Sequence, residues 1–154
     1  MWQRVQTIFL AVAIACLVAM IFFPLWEVKT ETARYTLYPM YYRAEVGTAI
    51  TETYFPYSFV AILALAAATL AFMQIQKFEN RLLQMKMGAL NSVLMGGCLF
   101  ASVYFSLSLQ KAAPDGGNFG LALYLPFAAM ILNSIANRFI RKDEKLVKDS
   151  ERLR

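Results

Sequence analysis

The sequence of 154 residues contains no histidine. Without imidazole the chain cannot provide Ser–His or Cys–His catalysis, histidine metal ligands or histidine proton relays. Its two cysteines, Cys16 and Cys98, both fall inside apolar runs, so neither a CxxC motif nor an extracytoplasmic disulfide framework is present. The carboxylates lie only in the polar segments, with no pair framed by a pocket. The sequence therefore predicts no catalytic residue, metal site or cofactor, and we expect a protein that is not an enzyme.

Charge is also absent from four long apolar runs. Each run approaches the roughly 20 residues that a helix needs to cross the hydrocarbon layer of a bilayer. Ionisable residues inside such spans usually mark pumps and coupled transporters, so their absence argues against an ion-coupled transporter. We predict an all-α membrane protein, a four-transmembrane-helix bundle forming a single domain over residues 1–154, with spans at about 5–23, 56–73, 88–109 and 119–137.

Lysine and arginine are distributed unevenly between the segments that connect these runs. Eleven fall at the amino terminus, in 74–87 and in the tail 138–154, against four in the two connections on the other side. Basic segments are retained in the cytoplasm. We therefore predict that both termini are cytoplasmic and that loop 24–55 is extracytoplasmic. The net charge of +5 needs no nucleic-acid partner to explain it.

The larger outer loop is rich in Thr, Tyr and Val and alternates as strands do. It predicts a small extracytoplasmic β-like cap of two or three strands between helices 1 and 2. Trp2 and Trp26 are expected at the membrane–water boundaries, with their polar tips wet. Packing on the helix ends is favoured over a recognition surface for the tyrosines of the cap, Tyr35, Tyr38, Tyr41 and Tyr42. Four helices under a β cap resemble claudin-like architecture, but the cysteine pair and surrounding motif of that family are missing.

Small residues in the third run favour close helix packing, either inside the monomer or between two copies. The pairs at four-residue spacing that carry this expectation are Ser92/Gly96 and Gly97/Ala101. Pro126 is expected to kink the fourth span. The connection 110–118 predicts a tight turn that makes the third and fourth spans antiparallel neighbours.

Polar residues cluster towards the cytoplasmic ends of the spans. Interhelical hydrogen bonding is favoured over a site for a lipid headgroup or a polar substrate. Asn133 and Asn137 are four residues apart and share one helix face. The other members of the cluster are Gln6, Thr7, Asn91, Ser92 and Ser134.

The tail "IRKDEKLVKDSERLR" predicts a helix that continues from the fourth span, with Leu146 on one edge. Acidic residues add little to membrane orientation. We therefore expect the acids of the tail to pair with Arg4, Arg81 or Lys86, or with basic groups of a partner. The candidate interaction residues are Arg4, Arg81, Asp143, Glu144, Leu146, Glu151 and Arg152.

Four stretches resemble a Bacteroidota family of small membrane proteins, the domain-of-unknown-function family 4293. They are "MWQRVQT", "FFPLW", "ENRLLQMK" and "RKDEKLVKDSERLR". The tail is the most specific of them, although Glu151 stands where the family usually has Asp. The resemblance implies a four-span protein of the bacterial inner membrane and no established activity. It also points to the cytoplasmic face as the shared functional surface.

These observations favour a non-enzymatic accessory or scaffold subunit that interacts through its cytoplasmic face. The alternative is an oligomeric channel or lipid-binding protein built around the Gly96–Gly97 and Pro126 faces. The expected partners are the lipid bilayer and a membrane protein, a cytosolic protein or further copies of the chain.

Overall fold

The computed structural model describes residues 2–78, 80–113 and 116–152, with side chains described for 5–78, 80–113 and 116–147. Within these ranges the chain is mostly helical, with four long helices and a small antiparallel sheet, which confirms the coarse architecture. The helices are α1 Trp2–Ala19, α2 Ser58–Gln76, α3 Arg81–Ala112 and α4 Leu125–Arg152. The strands are β1 Trp26–Lys29, β2 Ala33–Leu37, β3 Tyr42–Val46, β4 Ala49–Thr53 and β5 Asn118–Phe119.

The four helices form a closed ring in which α1 and α3 each pack against both α2 and α4. The face that α2 turns inward is mostly alanine. Helix α3 buries three polar side chains along its middle and its C-terminal half, Asn91, Ser102 and Ser106. Large apolar side chains point outward instead, for example Val93 at 70% and Phe100 at 74% exposure. In the described ranges, all four helices are long and apolar enough to cross a membrane.

Two helices begin away from the ends of the uncharged runs. Helix α3 starts at Arg81 because the side chain of Asn80 accepts a hydrogen bond of 3.0 Å from the backbone N–H of Leu83. Helix α4 starts only at Leu125, after a 3₁₀ turn at Leu121–Leu123. Pro126 is therefore in the first turn of α4, where its missing N–H is not needed. The expected kink in the fourth span is wrong.

The sheet is larger than the expected cap of two or three strands. Its order is β4-β3-β2-β1-β5, and every pairing is antiparallel. Strand β5 comes from the second connection, between α3 and α4, and pairs with β1 through Trp26↔Phe119 and Glu27↔Asn118. The sheet thus joins both connections at one end of the bundle, which we call the sheet end.

Trp26 fixes the sheet to the bundle. Its side chain is 1% exposed, and its Nε1–H donates a hydrogen bond of 3.0 Å to the carbonyl oxygen of Gly116. Gly117 has φ of +73°, and a Cβ there would lie 2.8 Å from the Trp26 ring. The expectation that the polar tip of Trp26 is wet is therefore wrong, because the connection between α3 and α4 folds over the indole. The side chain of Trp2 lies outside the described residues.

A chain of aromatic rings continues from the sheet to the helices. Tyr35 stacks on Tyr42 with ring centroids 6.4 Å apart, Tyr42 contacts Tyr57 at 5.7 Å, and Tyr57 meets Phe105 edge-on at 5.3 Å. Burial, followed by the neighbouring Tyr35 and Tyr57, raises the pKa of Tyr42. These contacts favour the interpretation that these tyrosines pack the sheet onto the helix ends.

Candidate functional site at the polar end of the bundle

The end of the bundle opposite the sheet is rich in amide side chains, and we call it the polar end. It comprises the first turns of α1, the connection between α2 and α3 with its flanking turns, and α4 from Asn133 onward. Three glutamines, Gln6, Gln74 and Gln84, are almost fully buried here. Buried amides require hydrogen-bond partners, so their contacts determine how the end is built.

Gln84 and Gln74 tie the α2–α3 connection to α4. The Gln84 Nε2–H donates 3.0 Å to the backbone carbonyl of Gln74, which lies in the last turn of α2 where carbonyls have no partner inside the helix. The Gln74 Nε2–H in turn donates 2.9 Å to Asn137 Oδ1. These two bonds fix the turn between α2 and α3 against the fourth helix.

A second set of bonds joins α3 to α4 at Gly88. The Asn133 Nδ2 amide donates to the Gly88 carbonyl at 3.1 Å and to Ser92 Oγ at 2.9 Å. The Ser92 hydroxyl donates to the same carbonyl at 3.0 Å. A Cβ on Gly88 would overlap the side-chain amide of Asn137, whose Cγ would be 2.6 Å away. The two helices approach closely here because Gly88 has no side chain.

Some buried amide atoms at this end, and of Asn91 further along α3, have no hydrogen-bond partner among the described residues. They are Gln74 Oε1, Asn133 Oδ1 and both Oδ1 and Nδ2 of Asn91. Asn91, predicted as part of the interhelical network, is fully buried but lies outside the described bonds. These buried amides place polar groups inside the bundle without adding a charge there.

Arg81 and Asp143, two of the predicted interaction residues, line one small cavity at the polar end. Its walls also include Gln6, Thr7 and Gln84, and its volume of about 20 Å³ is room for a water molecule. The Gln6 Nε2–H donates 3.0 Å to Asp143 Oδ2. The partner described for Asp143 is thus a neutral amide of α1 rather than one of the predicted basic groups.

The remaining predicted interaction residues have different surroundings. Leu146 is 55% exposed on α4, and Glu144 is partly buried with a contact of its own. The side chains of Arg4, Glu151 and Arg152 lie outside the described residues. No group of three carboxylates or thiols that could hold a metal ion occurs in the described part of the chain.

Neither glycine of the α3 pair is packed closely against a neighbouring helix, and Gly97 faces a groove. A Cβ on Gly96 would meet nothing within 4 Å, and one on Gly97 would lie 4.0 Å from Leu63 Cδ1. Gly97 and Ala101 lie in an open apolar groove of about 500 Å³ between α2 and α3, lined also by Phe59, Val93 and Phe100. The expectation of close packing inside the monomer at Gly96–Gly97 is wrong, whereas packing between copies stays a prediction.

Sequence reasoning missed the structural role of Gln74, Gln84 and Gly88. The signal was the spacing on α3, where buried residues recur every three or four positions at Gln84, Gly88, Asn91, Met95 and Cys98. A polar or glycine residue at such positions marks an inward face in an otherwise apolar helix. The partners on α2 and α4 have no comparable local signal.

A family model matches residues 2–153, nearly the whole chain, and its description is "Domain of unknown function (DUF4293)". The chain belongs to the DUF4293 family. Among curated proteins no sequence matches it. The DUF4293 match covers the sheet, the polar end and all four helices, so one family domain contains every feature described above.

Proposed function

We propose that this DUF4293 protein is an integral membrane protein of the bacterial inner membrane, with the sheet outside and the polar end in the cytoplasm. In this membrane the protein acts as a non-enzymatic accessory or scaffold subunit that binds a protein partner through the polar end. The distribution of side chains supports the membrane placement. Alanines and polar side chains make up much of the bundle interior, beside larger residues such as Leu10, Leu17 and Met95, and they let helices approach and bond. The outward faces are dominated by large apolar side chains.

The observation that carries the partner-binding proposal is the length of α4. The helix continues for 15 residues beyond the last uncharged run, from Arg138 to Arg152, or about 22 Å. Asp143 joins this extension to α1 through Gln6, and Phe139 stacks on Phe9 at a centroid distance of 5.9 Å. Beyond that point the extension carries Leu146, exposed among charged residues. A helix that is anchored at its base and carries an exposed apolar residue further along suits docking of a partner.

A non-enzymatic role agrees with the chemistry of the polar end. The buried polar side chains described at this end are neutral amides, and the bonds described for them hold helices together. Asp143 is the carboxylate that lines the small cavity, where it accepts the Gln6 amide. The sequence offers no histidine to activate a nucleophile.

The α2–α3 groove favours a second candidate, an oligomeric or lipid-binding protein. Its lining residues are apolar except for the hydroxyl of Tyr104, and it is open along one side. Because Gly97 contributes no side chain, a Cβ added there would lie 4.0 Å from Leu63 Cδ1, and the rest of a leucine side chain would occupy part of the groove. An acyl chain or a helix of another copy has the apolar chemistry that such a surface takes.

The partner-binding proposal predicts the effect of rearranging the extension. A variant that scrambles residues 144–154 with their composition unchanged keeps Asp143, Gln6 and the basic residues that set orientation. We expect unchanged insertion but loss of a protein that co-purifies stoichiometrically with the wild type in mild detergent. Thermal stability is measured alongside, because Glu144 and Val147 make contacts of their own that the scramble removes.

Gly97→Leu is the matched control because it alters the groove and leaves the extension intact. It should retain the partner. Wild-type recovery of the partner from the scrambled chain would contradict docking through the extension. If Gly97→Leu alone reduces bound lipid or oligomer, the second candidate is the better description.

A further inference from the structure

Strand β4 forms a free edge of the sheet. All five of its residues, Ala49–Thr53, are exposed, and its described partner is β3 on one side only. An exposed strand edge is a template for pairing with another strand. We propose that two copies of the chain associate through β4, antiparallel and centred on Thr51, so that one continuous sheet runs through both copies.

The hairpin between β3 and β4 determines which backbone groups are available. Its loop has two residues, Gly47 and Thr48, with Gly47 at φ of +60°, and Val46 is opposite Ala49. Residues that flank a two-residue loop exchange both hydrogen bonds, and the pattern alternates along the ladder. Thus Ala49, Thr51 and Thr53 bond to β3. The N–H and C=O groups of Ile50 and Glu52 point away from the sheet.

Those outward groups are complementary to the same groups of a second β4. In an antiparallel pair centred on Thr51, Ile50 of each copy is opposite Glu52 of the other, which satisfies all four backbone groups of each strand edge. Thr51 of one copy is then opposite Thr51 of the other, in a pair without backbone hydrogen bonds. No acidic residue is placed directly opposite another, so the pairing avoids like-charge repulsion.

The opposite edge of the sheet favours a symmetric pair over a head-to-tail chain. Strand β5 has only two residues, against five in β4, so β4 pairs over a longer stretch with its own copy. Strand β4 also lacks the proline and lysine residues that commonly protect edges, and its register with β3 has no bulge. One further point rests on the membrane placement proposed above. A shared membrane would hold the β4 edges of two copies at the same distance from its surface.

Cysteine crosslinking tests the register. In a chain with Cys16→Ala and Cys98→Ala, Thr51→Cys should form a disulfide-linked dimer on addition of a thiol oxidant. The two Cα atoms would be about 4.5 Å apart in this type of pair, within disulfide range. Ala49→Cys is the matched control, because its two copies would be about 14 Å apart along the strands. We expect at least tenfold more dimer from Thr51→Cys, in detergent and in membranes.

A charge substitution provides an independent measurement. Thr51→Lys places two lysines directly opposite each other and should shift the native mass in detergent from dimer to monomer. The fold of the single chain should be retained, because Thr51 is exposed in it. Equal crosslinking at Ala49 and Thr51, or an unchanged dimer with Thr51→Lys, would overturn the proposal. Neither outcome depends on the partner expected at the polar end.

Discussion

Replacing Trp26 by alanine is expected to lower the free energy of unfolding by about 3–5 kcal/mol, the usual range for loss of a large buried aromatic side chain. Trp26 is 1% exposed, and its indole N–H holds the Gly116 carbonyl. The substitution leaves a cavity between β1 and the second connection and removes that hydrogen bond. Thermal unfolding in detergent, followed by near-ultraviolet circular dichroism, measures the loss.

Phe55→Ala is the matched control for Trp26→Ala. Phe55 is also a large aromatic residue near the sheet end, but it is 82% exposed. Its removal should change the melting temperature little. If Trp26→Ala and Phe55→Ala have the same melting temperature, Trp26 does not anchor the sheet and its burial in this arrangement is contradicted.

Gly88→Ala is expected to destabilise the bundle by about 1–3 kcal/mol, since inserting atoms into a packed interior forces neighbours to move. The added Cβ would overlap Asn137 and displace the acceptor of the Gln74 amide. Gly96→Ala, also on α3, would meet nothing within 4 Å and should leave the stability unchanged or raise it by up to about 1 kcal/mol, because alanine has the higher helix propensity. Thermal unfolding of the two variants in the same detergent compares them directly.

The contact with Asn137 can be separated from helix propensity by a double-mutant cycle. Asn137→Ala alone should cost about 1 kcal/mol through the lost interhelical bond. In that background Gly88→Ala should cost little, because its obstacle is gone. Additive effects of the two substitutions would show that Gly88 is sensitive for another reason.

The helices could be predicted because their signal is local. An uncharged run of roughly 20 residues indicates a span wherever its neighbours lie, and all four runs correspond to long helices. Helix ends were less predictable, since α3 begins at the Asn80 cap and α4 begins after strand β5 and a 3₁₀ turn. Alternation in 27–55 indicated strands but could not give their number.

The parts that sequence reasoning missed depend on residues far apart in the chain. Strand β5 is too short to have a pattern, and it pairs with β1 about 90 residues earlier. Asp143 meets Gln6 across 137 positions, so its neutral partner could not be read from charge spacing. The Gly96–Gly97 pair can be recognised from the sequence alone. The importance of Gly88 comes from its contact with Asn137 on another helix, which no local pattern indicates.

Labelling of single cysteines tests the proposed membrane arrangement most directly. In the Cys16→Ala, Cys98→Ala chain, Thr48→Cys lies in the exposed β3–β4 loop and Gln76→Cys at the exposed end of α2, so α2 alone separates them. A membrane-impermeant maleimide added to intact spheroplasts should label Thr48→Cys at once and Gln76→Cys only after permeabilisation. Labelling of both from outside would contradict a spanning α2, and the reversed pattern would place the polar end outside the cytoplasm.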